Sequence, residues 1–471
     1  ADFGYDITDY KGVDPIFGTM SDFDELLQKA HEKGIKVILD LVPNHTSDQH
    51  PWFLESRSSR DNPKRDWYIW KDADAFGGPP NNWLANFGGR AWEWDEKTKQ
   101  YYYHAFLKEQ PDLNWRNPEV QKAIFDVMRF WFGKGVDGFR IDVLWHLIKD
   151  EHFRDNPLNP DYIQGMRFYR SQLPVYSADQ DDVLDIVKKM RDVAEEYKDK
   201  LLIGEIYLPV ERLIRYYGQE GKGIHLPFNF QLIMLEWEPD LIFHMVNRYE
   251  QLLGKKNWPN WVLGNHDNSR IASRVGRQQA RVAAVLLLTL RGTITLYYGD
   301  EIGMSDVFIN TDEIVDPQGK SQPQHNRDKA RTPMQWNNNV LSGFTKSIQP
   351  WLPVATDYQN NNVESEKKEP GSMLSLYKSL IELRNKEPAL SEGHYEPVLV
   401  SDSIIAYKRI HNKTQLLIIL NLTHAEAIFD PGFPLNGSVI LHTNPSMTAS
   451  EINGNILLKG DEAMIIRLHT N

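Results

Sequence analysis

The 471-residue chain contains no cysteine, which excludes disulfides, thiol catalysis and cysteine-ligated zinc together. It also lacks a long hydrophobic run. The longest, Val282 to Leu290, falls far short of the ~20 residues a membrane helix needs and reads as a buried helix. No cluster of basic residues offsets the net charge of −12, so neither nucleic acid nor an anionic membrane is an expected partner. Neither a charged n-region nor an apolar h-region opens the chain at Ala1, so no targeting segment is visible; a cytoplasmic location is expected, with secretion left open by an N-terminus expected to be missing. No internal repeat is evident.

What is present fits a globular protein of two or three domains, with 41% hydrophobic and 25% charged residues. Tryptophan is plentiful at 14 residues, many of them between Trp52 and Trp115. Such rings pack against the C–H faces of sugars, and they also fill large cores.

Helix and strand patterns alternate through most of the chain. Ser21 and Asp24 predict a capping box, Leu26, Leu27 and Ala30 an apolar side, and Gly34 a helix end before the strand 36–42. A helix opened by Pro118 leads to a strand ending at Asp142, and a helix over 182–197 to the strand 201–206. Further strands are expected at 226–230, 261–263 and 293–298, the last after a helix over 277–290. Alternation of this kind implies a parallel sheet covered by helices. Six strands are countable where the closed form of the pattern has eight. The expectation is therefore an α/β fold, a (β/α)8 barrel lacking its first strand, helix and second strand, in an N-terminally truncated sequence. The expected domains are the start of the barrel over 1–44, an inserted subdomain over 45–115, the barrel continued over 116–393 with a long loop at 303–362, and an antiparallel C-terminal β-sandwich over 394–471.

Residues two apart in a strand share a face, so Gly138-Phe139-Arg140-Ile141-Asp142 sets an arginine beside a carboxylate. An arginine so placed favours the ionised carboxylate, and a structural ion pair is the plain reading of that motif. In a parallel barrel, however, catalytic groups sit at the C-terminal strand ends. There the chain carries Asp142, Glu205 in Ile203-Gly204-Glu205, and Asp267 in Gly264-Asn265-His266-Asp267, with His45 and the pair Asp300-Glu301 at other ends. Glycoside hydrolysis needs such a set: one carboxylate to attack the anomeric carbon and a second to protonate the leaving oxygen and then activate water. The transition state also needs electrostatic support.

In that order, Asp40-Leu41-Val42-Pro43-Asn44-His45, Gly-Phe-Arg-Ile-Asp142, Ile-Gly-Glu205 and Asn-His-Asp267 resemble the four signature segments of the α-amylase superfamily, glycoside hydrolase family 13. The resemblance covers essentially the whole chain. It implies a retaining mechanism with Asp142 as nucleophile, Glu205 as acid/base and Asp267 as the carboxylate that grips the sugar. Gln110-Pro111-Asp112-Leu113-Asn114 and the segment Asn326 to Trp336 are similar to elements of the α-glucosidase and oligo-1,6-glucosidase subgroup, which acts from the ends of short α-glucosides. By that similarity Asp2, Tyr5, His45, Arg140, His266 and Arg327 contact the terminal glucose, and Phe106 lines its wall; loop anchoring is the other reading of Arg327 and Arg331. Val143, after the nucleophile, resembles enzymes that accept α-1,6 links.

No cofactor is expected. The first-loop aspartates that bind calcium or magnesium in many relatives would precede Ala1, so no complete metal site is expected either. Small α-linked oligosaccharides are the expected partners, and the oligomeric state stays open. Two alternatives remain: a transglycosylating relative such as a trehalose synthase, and a non-catalytic relative like the amino-acid transporter heavy chains.

Overall fold

The computed structural model describes residues 1–444 and 450–469. The chain divides into two compact units, one formed by Ala1–Leu208, Arg212–Phe228 and Val315–Asn326, the other by Pro209–Glu211, Asn229–Ile314 and Arg327–Asn471.

In the first unit, strands β1 (Ile38–Leu41), β5 (Gly138–Ile141), β6 (Leu201–Gly204) and β7 (Leu226–Pro227) form a parallel sheet in that spatial order. Their register sets Asp40 beside Arg140 and Arg140 beside Ile203. Helix Pro118–Lys134 begins with Asn117 as N-cap and proline at its first position, and ends on Gly135 at φ 103°, a left-handed conformation that glycine adopts without a Cβ clash. It buries Val120, Ile124, Val127, Met128, Trp131 and Phe132, a helical stripe whose last ring meets Phe139 of β5 at 4.8 Å. Gly138 is required by closeness: a Cβ there would lie 2.4 Å from the Leu201 carbonyl oxygen of β6.

Between β1 and that helix, β2 (Trp70–Lys71), β3 (Trp92–Asp95) and β4 (Gln100–Tyr103) make an antiparallel sheet in the order β2-β4-β3. Its core of Ile69, Trp83, Ala85, Ala91, Trp92, Tyr103 and Ala105 accounts for part of the tryptophan content, with Phe106 packed against it.

The second unit contains the parallel pair β8 (Asn260–Val262) and β9 (Thr293–Thr295) and the almost wholly buried helix Arg277–Thr289. Its C-terminal part is antiparallel. Strands β10 (His394–Val400), β11 (Ile404–His411), β12 (Thr414–Asn421), β14 (Asn436–His442), β15 (Glu451–Asn453) and β17 (Ala463–Leu468) form one sheet, and β13 (Ala427–Phe429) pairs with β16 (Ile456–Leu458). Ala406, Leu417, Ile419 and Ile466 of the large sheet share a core with Phe429, Ile456 and Leu458 of the small one.

Six parallel strands stand among the described residues, the number the pattern predicts. Local bounds differ. The first helix starts earlier than expected, at Met20, because Thr19 and Asp22 close the capping box that the sequence places at Ser21 and Asp24. The strand expected over 226–230 is regular only at Leu226–Pro227, and that over 293–298 stops at Thr295. The long loop holds short helices at Pro317–Ser321 and Val363–Glu366, the second just past its expected end. Among the described residues no helix is long and apolar enough to cross a membrane.

Candidate active site

The first unit gathers its candidate residues around one guanidinium. Backbone pairing carries the sheet past the strand ends, the Asp142 N–H donating to the Leu41 carbonyl and the Glu205 N–H to the Ile141 carbonyl, each at 2.9 Å. Asp142 and Glu205 are thereby held at the same end of adjacent strands, and both are buried. Arg140 forks between them: Nη1 donates to Asp142 Oδ1, and Nη2 lies 2.8 Å from Glu205 Oε2. The same Nη1 also donates to both oxygens of Asp40, at 2.9 and 3.0 Å. Glu205 Oε2 takes a second donor, the Val143 N–H at 2.9 Å.

That bond depends on an unusual backbone. Val143 sits at φ 36°, ψ 46°, a left-handed conformation that a β-branched residue adopts only under strain. Such strain persists where surrounding contacts over-determine it. Here the buried Val143 side chain and the bond to Glu205 supply those contacts.

One positive charge among three carboxylates does not balance. Burial pushes the Asp142 carboxyl from its ordinary 3.8 up to about 7, and Arg140 offsets this only in part because it is divided with Asp40 and Glu205. This corrects the expectation that the neighbouring arginine favours the ionised form: desolvation outweighs it. Asp142 and Glu205 are also hydrogen-bonded to each other, so the pair retains a proton together.

Tyr5 closes one side, its hydroxyl donating to Asp40 Oδ2 at 2.8 Å and its ring 5.7 Å from the Arg140 guanidinium. Asp2 is buried nearby in sequence, its carbonyl accepting from the Tyr5 N–H. His45 Nε2 is 2.9 Å from the Tyr5 carbonyl oxygen. Phe106 packs against His45, with ring centroids 5.4 Å apart, and against the buried His146 at 5.6 Å. Burial pushes His146 down to about 3, so its ring is neutral.

The second unit gathers the others. Asp267 Oδ1 accepts from Arg327 Nη1 at 3.2 Å and from Arg331 Nη2 at 2.9 Å, while Arg331 Nε holds the His266 carbonyl at 2.8 Å. His266 Nε2 lies 3.6 Å from Asp267 Oδ2. Both arginines are thus paired with the candidate carboxylate.

Several residues here, most of them inside the recognised segments, have partners that no motif announces. Asp40 lies inside a recognised segment, yet only the β1–β5 register sets it beside Arg140. Lys149, Asp112, Asn44 and Gln110 form a buried polar network behind His45, joining segments whose contact no local period announces. Among the described residues no three or more His, Asp or Glu side chains are grouped so as to hold a metal ion.

The alpha amylase catalytic domain, as a family, matches residues 1–393. The chain is 39% identical to an α-glucosidase of Apis mellifera over 442 residues, covering 91% of this chain and 77% of the relative. It is 38% identical to an oligo-1,6-glucosidase of Heyndrickxia coagulans over 473 residues, covering 91% and 83%. Among solved structures, the alpha-glucosyl transfer enzyme XgtA superposes with a TM-score of 0.93 at 35% identity, covering 99% of this chain and 89% of that one.

Proposed function

The chain belongs to the alpha-amylase family, glycoside hydrolase family 13, and from that membership we propose that it is a retaining, exo-acting α-glucosidase. Its fold is the family's (β/α)8 barrel with a C-terminal antiparallel β domain. Its substrates are short α-glucosides with a terminal α-1,4- or α-1,6-linked glucose.

Asp142 is the nucleophile. It attacks the anomeric carbon as Glu205 gives its proton to the glycosidic oxygen, and the bond from that oxygen to the anomeric carbon breaks. The aglycone leaves and a glucosyl ester on Asp142 remains. Glu205, now a carboxylate, takes a proton from water, whose oxygen attacks the anomeric carbon and frees Asp142. Glucose leaves as the α-anomer, and Glu205 is protonated again. Asp267, flanked by Arg327 and Arg331, is the carboxylate that grips the sugar. Asp2, Tyr5, His45, Phe106, Arg140, His266 and Arg327 make the remaining glucose contacts. The cycle uses these side chains and water, with no cofactor.

The observation that carries this reading is the Arg140 fork, which ties Asp142 and Glu205 to one guanidinium. A buried pair that keeps one proton is what a nucleophile and an acid require between them. A second reading, net glucosyl transfer to another sugar, draws on the likeness to an alpha-glucosyl transfer enzyme. A non-catalytic role is disfavoured because Asp142, Glu205 and Asp267 are all retained.

The test is p-nitrophenol release from its α-glucoside by the full-length protein and by Asp142→Ala, with products followed on maltose. Hydrolysis yields free glucose, and Asp142→Ala loses at least about 10³-fold in kcat. Equal rates for the two proteins contradict the assignment, and disaccharide products in place of glucose favour transfer.

A further inference from the structure

We propose that the buried Lys149–Asp112 ion pair fixes the Asn44 amide and through it commits His45 to the tautomer protonated on Nε2, so that His45 holds the Tyr5 main chain. The functional meaning rests on the reading of Tyr5 and His45 as glucose contacts. Lys149 and Asp112 touch no substrate in that reading and act as positioning residues.

Donor and acceptor types fix each orientation in turn. The Lys149 and Asp112 side chains are 2% and 0% exposed, with Nζ 2.5 Å from Asp112 Oδ2. An ammonium only donates. The Asn44 atom 2.9 Å from Nζ must therefore be its carbonyl oxygen. Asn44 Nδ2 then faces the other way and donates to Asp112 Oδ2 at 2.9 Å, a carboxylate oxygen that only accepts. Two independent partners impose one orientation. A flipped amide would set NH₂ against NH₃⁺ and carbonyl against carboxylate, in a site where each buried mismatch is costly.

The same Nδ2 lies 3.2 Å from His45 Nδ1. Because it is a donor, Nδ1 accepts and carries no proton, and the neutral ring bears its proton on Nε2. Burial, which pushes His45 down, agrees with a neutral ring. The Nε2–H then donates to the Tyr5 carbonyl at 2.9 Å. Gln110 Nε2, its amide oriented by the Leu107 N–H bonded to Oε1, lies 3.1 Å from that oxygen and 3.2 Å from His45 Nε2; it donates to the carbonyl, because a ring unprotonated on Nε2 would set a lone pair 2.9 Å from the Tyr5 oxygen. In the other tautomer the Nε2 lone pair would oppose the Tyr5 oxygen. The Tyr5 carbonyl would lose one of these two donors.

The experiment is nitrogen NMR of the full-length protein labelled with ¹⁵N-histidine, without substrate, in the wild type and in Asn44→Asp. His45 is assigned by its absence from His45→Gln. The expected wild-type result is an unprotonated Nδ1 and a protonated Nε2. In Asn44→Asp, whose carboxylate cannot donate, Nδ1 becomes protonated. KM for the p-nitrophenyl α-glucoside rises about tenfold while kcat changes less than about threefold. A wild-type His45 protonated on Nδ1, or an Asn44→Asp protein with the wild-type tautomer, overturns the proposal. If Asn44→Asp does not fold, the wild-type tautomer alone decides. The tautomer is read without substrate, so its failure is distinct from failure of the glucosidase reading, which rests on Asp142→Ala.

Discussion

At the scale of single residues, Asp142 has a thermodynamic consequence independent of any substrate. Its carboxyl binds a proton more tightly folded than unfolded, with the raised value near 7 against 3.8. Folding stability therefore falls as pH rises between those values, and the full cost is present above about 7. Replacing the group by a neutral amide removes this cost. Asp142→Asn should melt at least about 2 °C above the wild type at pH 8 in scanning calorimetry, with the gap closing towards pH 4. A gap that is constant with pH would mean that Asp142 is not held protonated by burial. Period-two reading of the strand end was enough to set Arg140 beside Asp142, because that rule is local. It did not foresee that Asp142 is buried, which dominates the upward shift, or that Arg140 is shared with Asp40, a residue 100 positions away.

Elements were legible where periodicity is strong and bounds were not. The helix at Pro118–Lys134 was readable from its proline start; its apolar stripe and its stop at Gly135 are found in the structure. The first helix carries two overlapping box patterns, Thr19 with Asp22 and Ser21 with Asp24, and the first of them closes. Strands β2 to β4 were hidden because each is only two to four residues long, too short to show a period. Between β5 and β6 the two candidate carboxylates are spaced by backbone contact at Gly138, where the Leu201 carbonyl leaves no room for a methyl group. Gly138→Ala should lower stability by about 1 to 3 kcal/mol. By displacing Asp142 from Glu205 it should also lower kcat about tenfold or more. Calorimetry and the glucoside assay together check this; wild-type kcat in a destabilised protein would show that the β5–β6 spacing does not set the catalytic geometry.

For the molecule as a whole, the alternation of helix and strand and the change to short antiparallel strands near His394 were readable from pattern alone. Those patterns are dictated by which face each element buries, which sequence records directly. The buried network of Asn44, Asp112 and Lys149 was not readable, because it joins residues up to 105 positions apart through side chains with no shared period. The functional account reduces to one covalent event. The most direct measurement is incubation of the full-length protein with 5-fluoro-α-D-glucosyl fluoride, followed by digestion and mass spectrometry of the labelled peptide. The account predicts one fluoroglucosyl group per chain, on the peptide containing Asp142 and on that carboxylate. A label on another residue, or steady turnover of the reagent with no covalent species at any time, would contradict it.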